Sequence, residues 1–162
     1  MSLAIRPAEG ADGDALWAML APVFRAGETY AVPPDIERAD ALAFWCGAPH
    51  RPFLAADADG PAGTYYLQPN RPGGGDHVAN CGYVTSPGRE GRGVARAMLA
   101  HSLETARAAG FRAMQFNFVV ETNARAIALW RRAGFAVVGR VPEAFRHPRE
   151  GLVAALVMHR RL

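Results

Sequence analysis

Hydrophobic positions along this chain change period several times, and each change marks an element. Leu16, Met19, Leu20 and Val23 recur at helical spacing, so Asp12 to Arg25 reads as an amphipathic helix. Ile36 to Cys46 reads as a second helix, set off by Pro33-Pro34 and with Asp35 placed as its N-cap. Leu3 to Arg6 is a strand candidate. Pro52 to Ala58 and Ala62 to Gln68 read as strands joined at Asp59-Gly60, a strong hairpin signal. A loop of prolines and glycines from Pro69 to Gly75 leads to another strand, His77 to Thr85. Arg92 to Ala109 carries Ala95, Leu99, Leu103 and Ala106 on one helical face and stops at Gly110. Ala113 to Val120 alternates and is rich in aromatic and β-branched residues, so it is a strand. Asn123 is placed to cap a helix from Ala124 to Ala133, which Gly134 ends. Phe135 to Val141 and Val153 to Met158 are closing strands. The fold class is α/β, and no linker or repeat divides residues 1–162, which predicts one domain.

Half of the residues are hydrophobic and a fifth are charged, as in a globular soluble domain. No run approaches the roughly 18 apolar residues of a membrane helix, and the N-terminus lacks a secretory apolar region, so no membrane partner and a cytoplasmic location are expected. The two cysteines, Cys46 and Cys81, form no CxxC and no metal-ligand pair, so no metal is expected. All 18 basic residues are arginine. That excludes a lysine Schiff base and a Walker-type phosphate grip. The net charge of +3 is mild and the arginines are scattered, which suits a small polyanionic ligand better than nucleic acid.

Chemistry concentrates where the strand ending at Val84-Thr85 runs through Ser86-Pro87-Gly88-Arg89-Glu90-Gly91-Arg92-Gly93-Val94-Ala95-Arg96 into the long helix. Backbone N–H groups of such a loop, joined to the free N–H groups of the helix start, form an anion cradle. Gly91 and Gly93 let the main chain approach a ligand, and Arg92 and Arg96 add positive charge. A dinucleotide fingerprint is excluded, because its third glycine would fall at Arg96.

The segment resembles the pyrophosphate-binding motif of the GNAT acetyltransferase superfamily, Gln/Arg-x-x-Gly-x-Gly/Ala. Gly93 and Ala95 match it, and Glu90 departs from its first position. Asn123-Ala124-Arg125-Ala126-Ile127-Ala128-Leu129-Trp130 followed by Gly134-Phe135 is similar to the family's second signature, with Trp130 where many relatives carry tyrosine. The resemblance implies a GNAT fold: a mixed, mostly antiparallel sheet of six to seven strands, splayed between the fourth and fifth, with about four helices. It implies acetyl-CoA in the splay, no metal, and a homodimer. The backbone of Val84 and Thr85 would hold the pantetheine, the stretch Gly91, Arg92, Gly93, Val94, Ala95 and Arg96 the pyrophosphate, and Asn123 and Trp130 would line the arm. An indole N–H cannot act as a general acid, so protonation of the leaving thiolate has no assigned side chain.

Gly27-Glu28-Thr29-Tyr30, Gly63 to Asn70, Asn80 to Tyr83 and Phe116-Asn117-Phe118-Val119 further resemble a fungal subfamily that N-acetylates azetidine-2-carboxylate and proline-like amino acids. That likeness implies a small-molecule amine as acceptor, Asn80 and Asn117 as the catalytic asparagines, and Glu28, Thr29 and Tyr30 as an acceptor-binding loop. An inward asparagine needs a partner, which is either the acceptor or neighbouring backbone. A base must free the attacking amine, and Glu28, Glu121 and His77 qualify by type. Acetylation of a peptide amine and a non-catalytic acetyl-CoA-binding module are the competing readings.

Overall fold

The computed structural model describes residues 3–162. Seven strands form one sheet in the order β1-β2-β3-β4-β5-β7-β6, antiparallel throughout except where β4 meets β5. The strands are β1 (Ala4–Pro7), β2 (Arg51–Asp57), β3 (Gly60–Pro69), β4 (Val78–Thr85), β5 (Ala113–Val120), β6 (Ala136–His147) and β7 (Gly151–Arg161). Four α-helices cover it: α1 (Gly13–Ala26), α2 (Arg38–Cys46), α3 (Val94–Ala108) and α4 (Ala124–Arg132).

The period-two strands sort their side chains into two cores. Leu54, Tyr66 and Val84 pack with Leu16, Leu20, Phe24 and Trp45 of α1 and α2 on one face. Tyr65, Leu67, Cys81 and Phe116 pack with Met98 and Leu99 of α3 and Trp130 of α4 on the other. The fold expected from the GNAT resemblance is therefore the one observed.

Three local expectations need correction. α2 is capped at Glu37 and not at Asp35, because Ile36 N–H bonds back to the Pro33 carbonyl and holds Asp35 inside that turn. α3 begins at Val94, two residues later than periodicity suggests, because Gly93 is left-handed at φ 83°. β6 and β7 extend well past their apolar runs, since pairing continues through exposed residues to a turn at Gly151. Among the described residues no helix is long and apolar enough to cross a membrane.

Candidate active site

The site is built on a failure of strand pairing. β4 and β5 pair in parallel only at Val78–Ala113 and Ala79–Met114. In a parallel ladder the next rung would join Cys81 N–H to the Gln115 carbonyl. That rung is missing, and Asn80 Nδ2 donates to the Gln115 carbonyl instead, at 2.9 Å. A side-chain amide thus satisfies the last β5 acceptor and lets the strands diverge beyond it. Asn80 is only 8% exposed, and its Oδ1 accepts from Gln68 Nε2 at 3.0 Å.

Which β4 groups face the gap follows from register. Ser86 N–H donates to the Ala62 carbonyl and Asn70 N–H to the Val78 carbonyl, with no register shift between. Backbone groups of even-numbered β4 residues therefore turn to β3, while those of Cys81, Tyr83 and Thr85 turn into the gap. Val84 and Thr85 both line the cleft, but only Thr85 turns its backbone into the gap; the Val84 backbone, expected to hold the pantetheine, faces β3, and its side chain belongs to the α1/α2 core. On the opposite wall, β5 bulges between Phe116 and Val119, carrying Asn117 at the break. Asn117 Oδ1 accepts from Gln115 Nε2 at 2.9 Å and its Nδ2 donates to Asn70 Oδ1 at 2.6 Å. Each asparagine amide has two N–H groups and each carbonyl oxygen two lone pairs, so both keep unused capacity.

Two cavities meet at the gap. The larger, about 730 Å³, is a cleft between β4, α3 and α4 lined by Val84, Thr85, Gly91, Gly93, Val94, Ala95, Arg96, Asn123 and Trp130. Gly91 (φ 78°) and Gly93 (φ 83°) are left-handed, and the first helical bond runs from Ala97 N–H to the Gly93 carbonyl. The N–H groups of Val94, Ala95 and Arg96 at the positive end of α3 consequently have no intrahelical partner. An added Cβ would meet nothing within 4 Å at Gly91 and only the Arg96 guanidinium, at 3.8 Å, at Gly93. The glycines are thus required by backbone conformation. This cradle suits a diphosphate, and the apolar cleft beyond it suits a pantetheine arm. Sequence reasoning missed Arg125 and Arg132, which also line the cleft.

Arg92 is absent from the cleft wall. Arg89 is held by Asp57 at 3.0 Å and Asp59 at 3.5 Å, so the phosphate loop is bolted to the β2–β3 hairpin. Burial opposes ionisation of Asp57, but the Asp59 amide and the Arg89 guanidinium outweigh it and hold the carboxyl below its usual range. A depressed carboxyl pKa stabilises the folded state above the group's ordinary pKa, and the contribution fades as pH falls through it. Asp57→Asn is expected to raise the KM for acetyl-CoA about tenfold while leaving the acceptor KM unchanged. Steady-state kinetics with each substrate varied in turn checks this, and an unchanged acetyl-CoA KM refutes it. Glu90 lines the cleft and has no ion pair among the described residues.

The second cavity, about 330 Å³, lies on the α1/α2 side of the gap and is lined by Thr29, Tyr30, Tyr66, Asn80, Gly82 and Asn117, with Phe44, Phe116 and Phe118 among its apolar walls. No lining side chain carries a charge. Tyr30 Oη donates to the Tyr83 carbonyl at 2.9 Å, tying the loop after α1 to the gap. Trp130 lines both cavities, 8% exposed, with its ring centroid 5.1 Å from that of Tyr83 and 4.9 Å from that of Phe116. Glu28 does not reach this cavity; it pairs with Arg149 at an outer depression beside Thr29 and Asn123. Asn123 Oδ1 accepts from Ala126 N–H at 3.3 Å, so it caps α4 while it lines both cavities.

None of the expected bases lines the second cavity. Glu121 is bidentate to Arg140, which holds its carboxyl below the usual range. His77 precedes β4, at the end where β4 and β5 still pair. Burial pushes the Cys81 thiol up to about 12, which leaves it neutral and inert. Among the described residues no group of three or more His, Cys, Asp or Glu could hold a metal ion.

A splayed parallel junction with a helix N-terminus at its mouth defines the class: an acetyl-CoA-using N-acetyltransferase domain. The sequence matches the Acetyltransferase (GNAT) family over residues 14–135, and the chain belongs to that family. It is 44% identical to a GCN5-related N-acetyltransferase from Kribbella flavida, over 99% of this chain and 98% of that one, with a TM-score of 0.92. It is 35% identical over 96 residues to N-acetyltransferase aca1 of Schizosaccharomyces pombe, covering 59% of this chain and 46% of that protein. The fold also matches a phosphinothricin acetyltransferase from Sinorhizobium meliloti solved with AcCoA, at 22% identity and a TM-score of 0.86 over 100% of this chain and 89% of the other.

Proposed function

We propose that this protein transfers an acetyl group from acetyl-CoA to the amine of a small molecule, an amino acid or close analogue, by direct attack in a ternary complex. The observation that carries this reading is the second cavity: small, walled by the Thr29–Tyr30 loop, and opening on the gap. Its volume of about 330 Å³ fits an amino acid far better than an extended peptide. The likeness of Asn80 to Tyr83 and of Phe116 to Val119 to the proline-analogue subfamily supports the same substrate class, and the similarity to N-acetyltransferase aca1 supports N-acetylation.

In this mechanism Asn80 and Asn117 orient the acceptor with their unused N–H groups, and backbone N–H groups of the β4 gap face stabilise the oxyanion. The C–N bond forms as the C–S bond breaks, and the proton lost by nitrogen reaches the departing sulfur through solvent. Trp130 packs and shields without transferring a proton. A homodimer is part of the proposal, supported by exposed Val138, Val141 and Leu152 on the β6–β7 hairpin.

A cavity without a base admits only the free amine. Thioester cleavage measured across pH with a panel of amino acids should therefore rise tenfold per pH unit and level off at each acceptor's own amine pKa. A plateau at one pH shared by all acceptors would point to an enzyme base and refute this step. Absence of turnover with every amino acid and small amine, despite acetyl-CoA binding, would overturn the substrate class.

A further inference from the structure

Three tyrosines line the acceptor cavity, and two of their hydroxyls are committed. Tyr30 Oη donates to the Tyr83 carbonyl, and Tyr83 Oη shares a 2.7 Å hydrogen bond with Ser102 Oγ on the opposite face of the sheet. Tyr66 Oη has no hydrogen-bond partner among the described residues, although the residue is 92% buried, at 8% relative exposure. Its oxygen is not among the fully buried side-chain atoms left without a partner, so it keeps accessible surface at the cavity wall and is free to donate to a molecule held there.

The ring that carries this hydroxyl is fixed from several sides. It stacks on His50 with centroids 4.0 Å apart and planes 4° from parallel, and Trp45 meets it edge-on at 4.9 Å. Trp45 is pinned in turn, its Nε1 donating to Thr64 Oγ1 at 3.0 Å. On β4, Tyr66 stands opposite Gly82. Gly82 is not among the positive-φ glycines, so the backbone does not demand it there. Its missing side chain has another use: a Cβ at Gly82 would lie 2.5 Å from Tyr66 Cε1 and 2.9 Å from Tyr66 Oη. A glycine within a strand weakens it and often marks a close approach. Here the approach is that of the phenol end to the strand, two residues along the same face from Asn80.

We propose that the Tyr66 hydroxyl, seated against Gly82, donates to an oxygen of the acceptor's carboxylate and so makes the enzyme prefer α-amino acids over simple amines. This rests on the small-molecule reading above and names the group that reading leaves unheld. No arginine or histidine lines the cavity to pair with a carboxylate. Neutral donors must do it, and Tyr66 O–H with the spare N–H groups of Asn80 and Asn117 forms such a set. Burial raises the Tyr66 phenol to about 12, so it remains a proton donor across the working pH range. The site would thus favour an α-amino acid whose side chain is uncharged, with a compact apolar body against Phe44 and Phe118.

Kinetics of Tyr66→Phe with matched acceptors, proline against pyrrolidine and alanine against ethylamine, test the assignment. The wild-type enzyme is expected to favour the amino acid of each pair. Tyr66→Phe should raise the amino-acid KM roughly 10- to 100-fold with kcat within about twofold, leaving the amines and the acetyl-CoA Kd unchanged. Gly82→Ala, which displaces the phenol, should give the same acceptor-selective loss. An unchanged amino-acid KM in Tyr66→Phe, or an equal loss for both members of a pair, overturns the inference. Wild-type turnover of the amines at least as good as of the amino acids overturns it while sparing small-amine acetylation, and turnover of neither overturns both.

Discussion

Gly93→Val should cost this protein its acetyl-CoA affinity, by at least tenfold in Kd, with little change in the fold. Gly93 caps α3 at φ 83° and ψ 4°, where a β-branched residue is a genuine outlier. The left-handed conformation costs roughly 1–2 kcal/mol for an ordinary residue. Valine can escape that strain only by rotating the turn, and the turn is what aims the unpartnered N–H groups of Val94, Ala95 and Arg96 at the cleft. Because nothing but the Arg96 guanidinium lies near the position of an added Cβ, packing is not disturbed and the helix itself should survive. Titration calorimetry with acetyl-CoA, beside a thermal melt, reads the two effects separately. Wild-type affinity in the valine variant would show that the cradle does not hold the diphosphate.

Asn80→Asp is the second large effect expected, and it acts at the fork. The amide N–H that satisfies the Gln115 carbonyl becomes an oxygen, so two acceptors face each other at 2.9 Å spacing in a buried place. Leaving a buried acceptor unsatisfied costs about 1–3 kcal/mol, and more when a charge is involved. The strand ends must then move, and every group placed by the splay moves with them: the gap-facing amides of β4, Asn117 on the bulge, and the cavity between. Turnover should fall on the order of 100-fold, since misplacement by about an ångström suffices for that. Asn80→Ala should fall by less, because the Gln115 carbonyl regains the Cys81 N–H once the side chain is gone. Equal activity of wild type and Asn80→Asp would exclude both the brace and any acceptor contact by this residue.

The two variants differ in how visible their targets are in the sequence. Gly91 and Gly93 sit between an alternating strand and a helical face, within one short window, and their conformation is a local matter. The capping role of Asn123 and the stop at Gly134 were legible for the same reason. Asn80 was legible only as an inward polar residue needing a partner. That its partner is a backbone carbonyl, on a strand 35 residues further on, required the register of β4 against β5. Register also decided which β4 backbone groups face the gap. Glu28 and Glu121 were credible bases by residue type, until Arg149 and Arg140 were found beside them.

The amino-acid order by itself determined the alternation of strands and helices, the conformation of the phosphate turn and, through two spaced motifs, the family. Those depend on periodicity, capping and glycine freedom, which act over a few residues and survive in any context. Only the tertiary structure decided that no charged side chain lines the second cavity, that Arg89 is paired with the β2–β3 hairpin, and that the Tyr66 hydroxyl opens on that cavity without a protein partner. Each of those depends on which polar atoms distant in sequence come within three ångströms of one another, and a buried group's chemistry is set by the partner it meets.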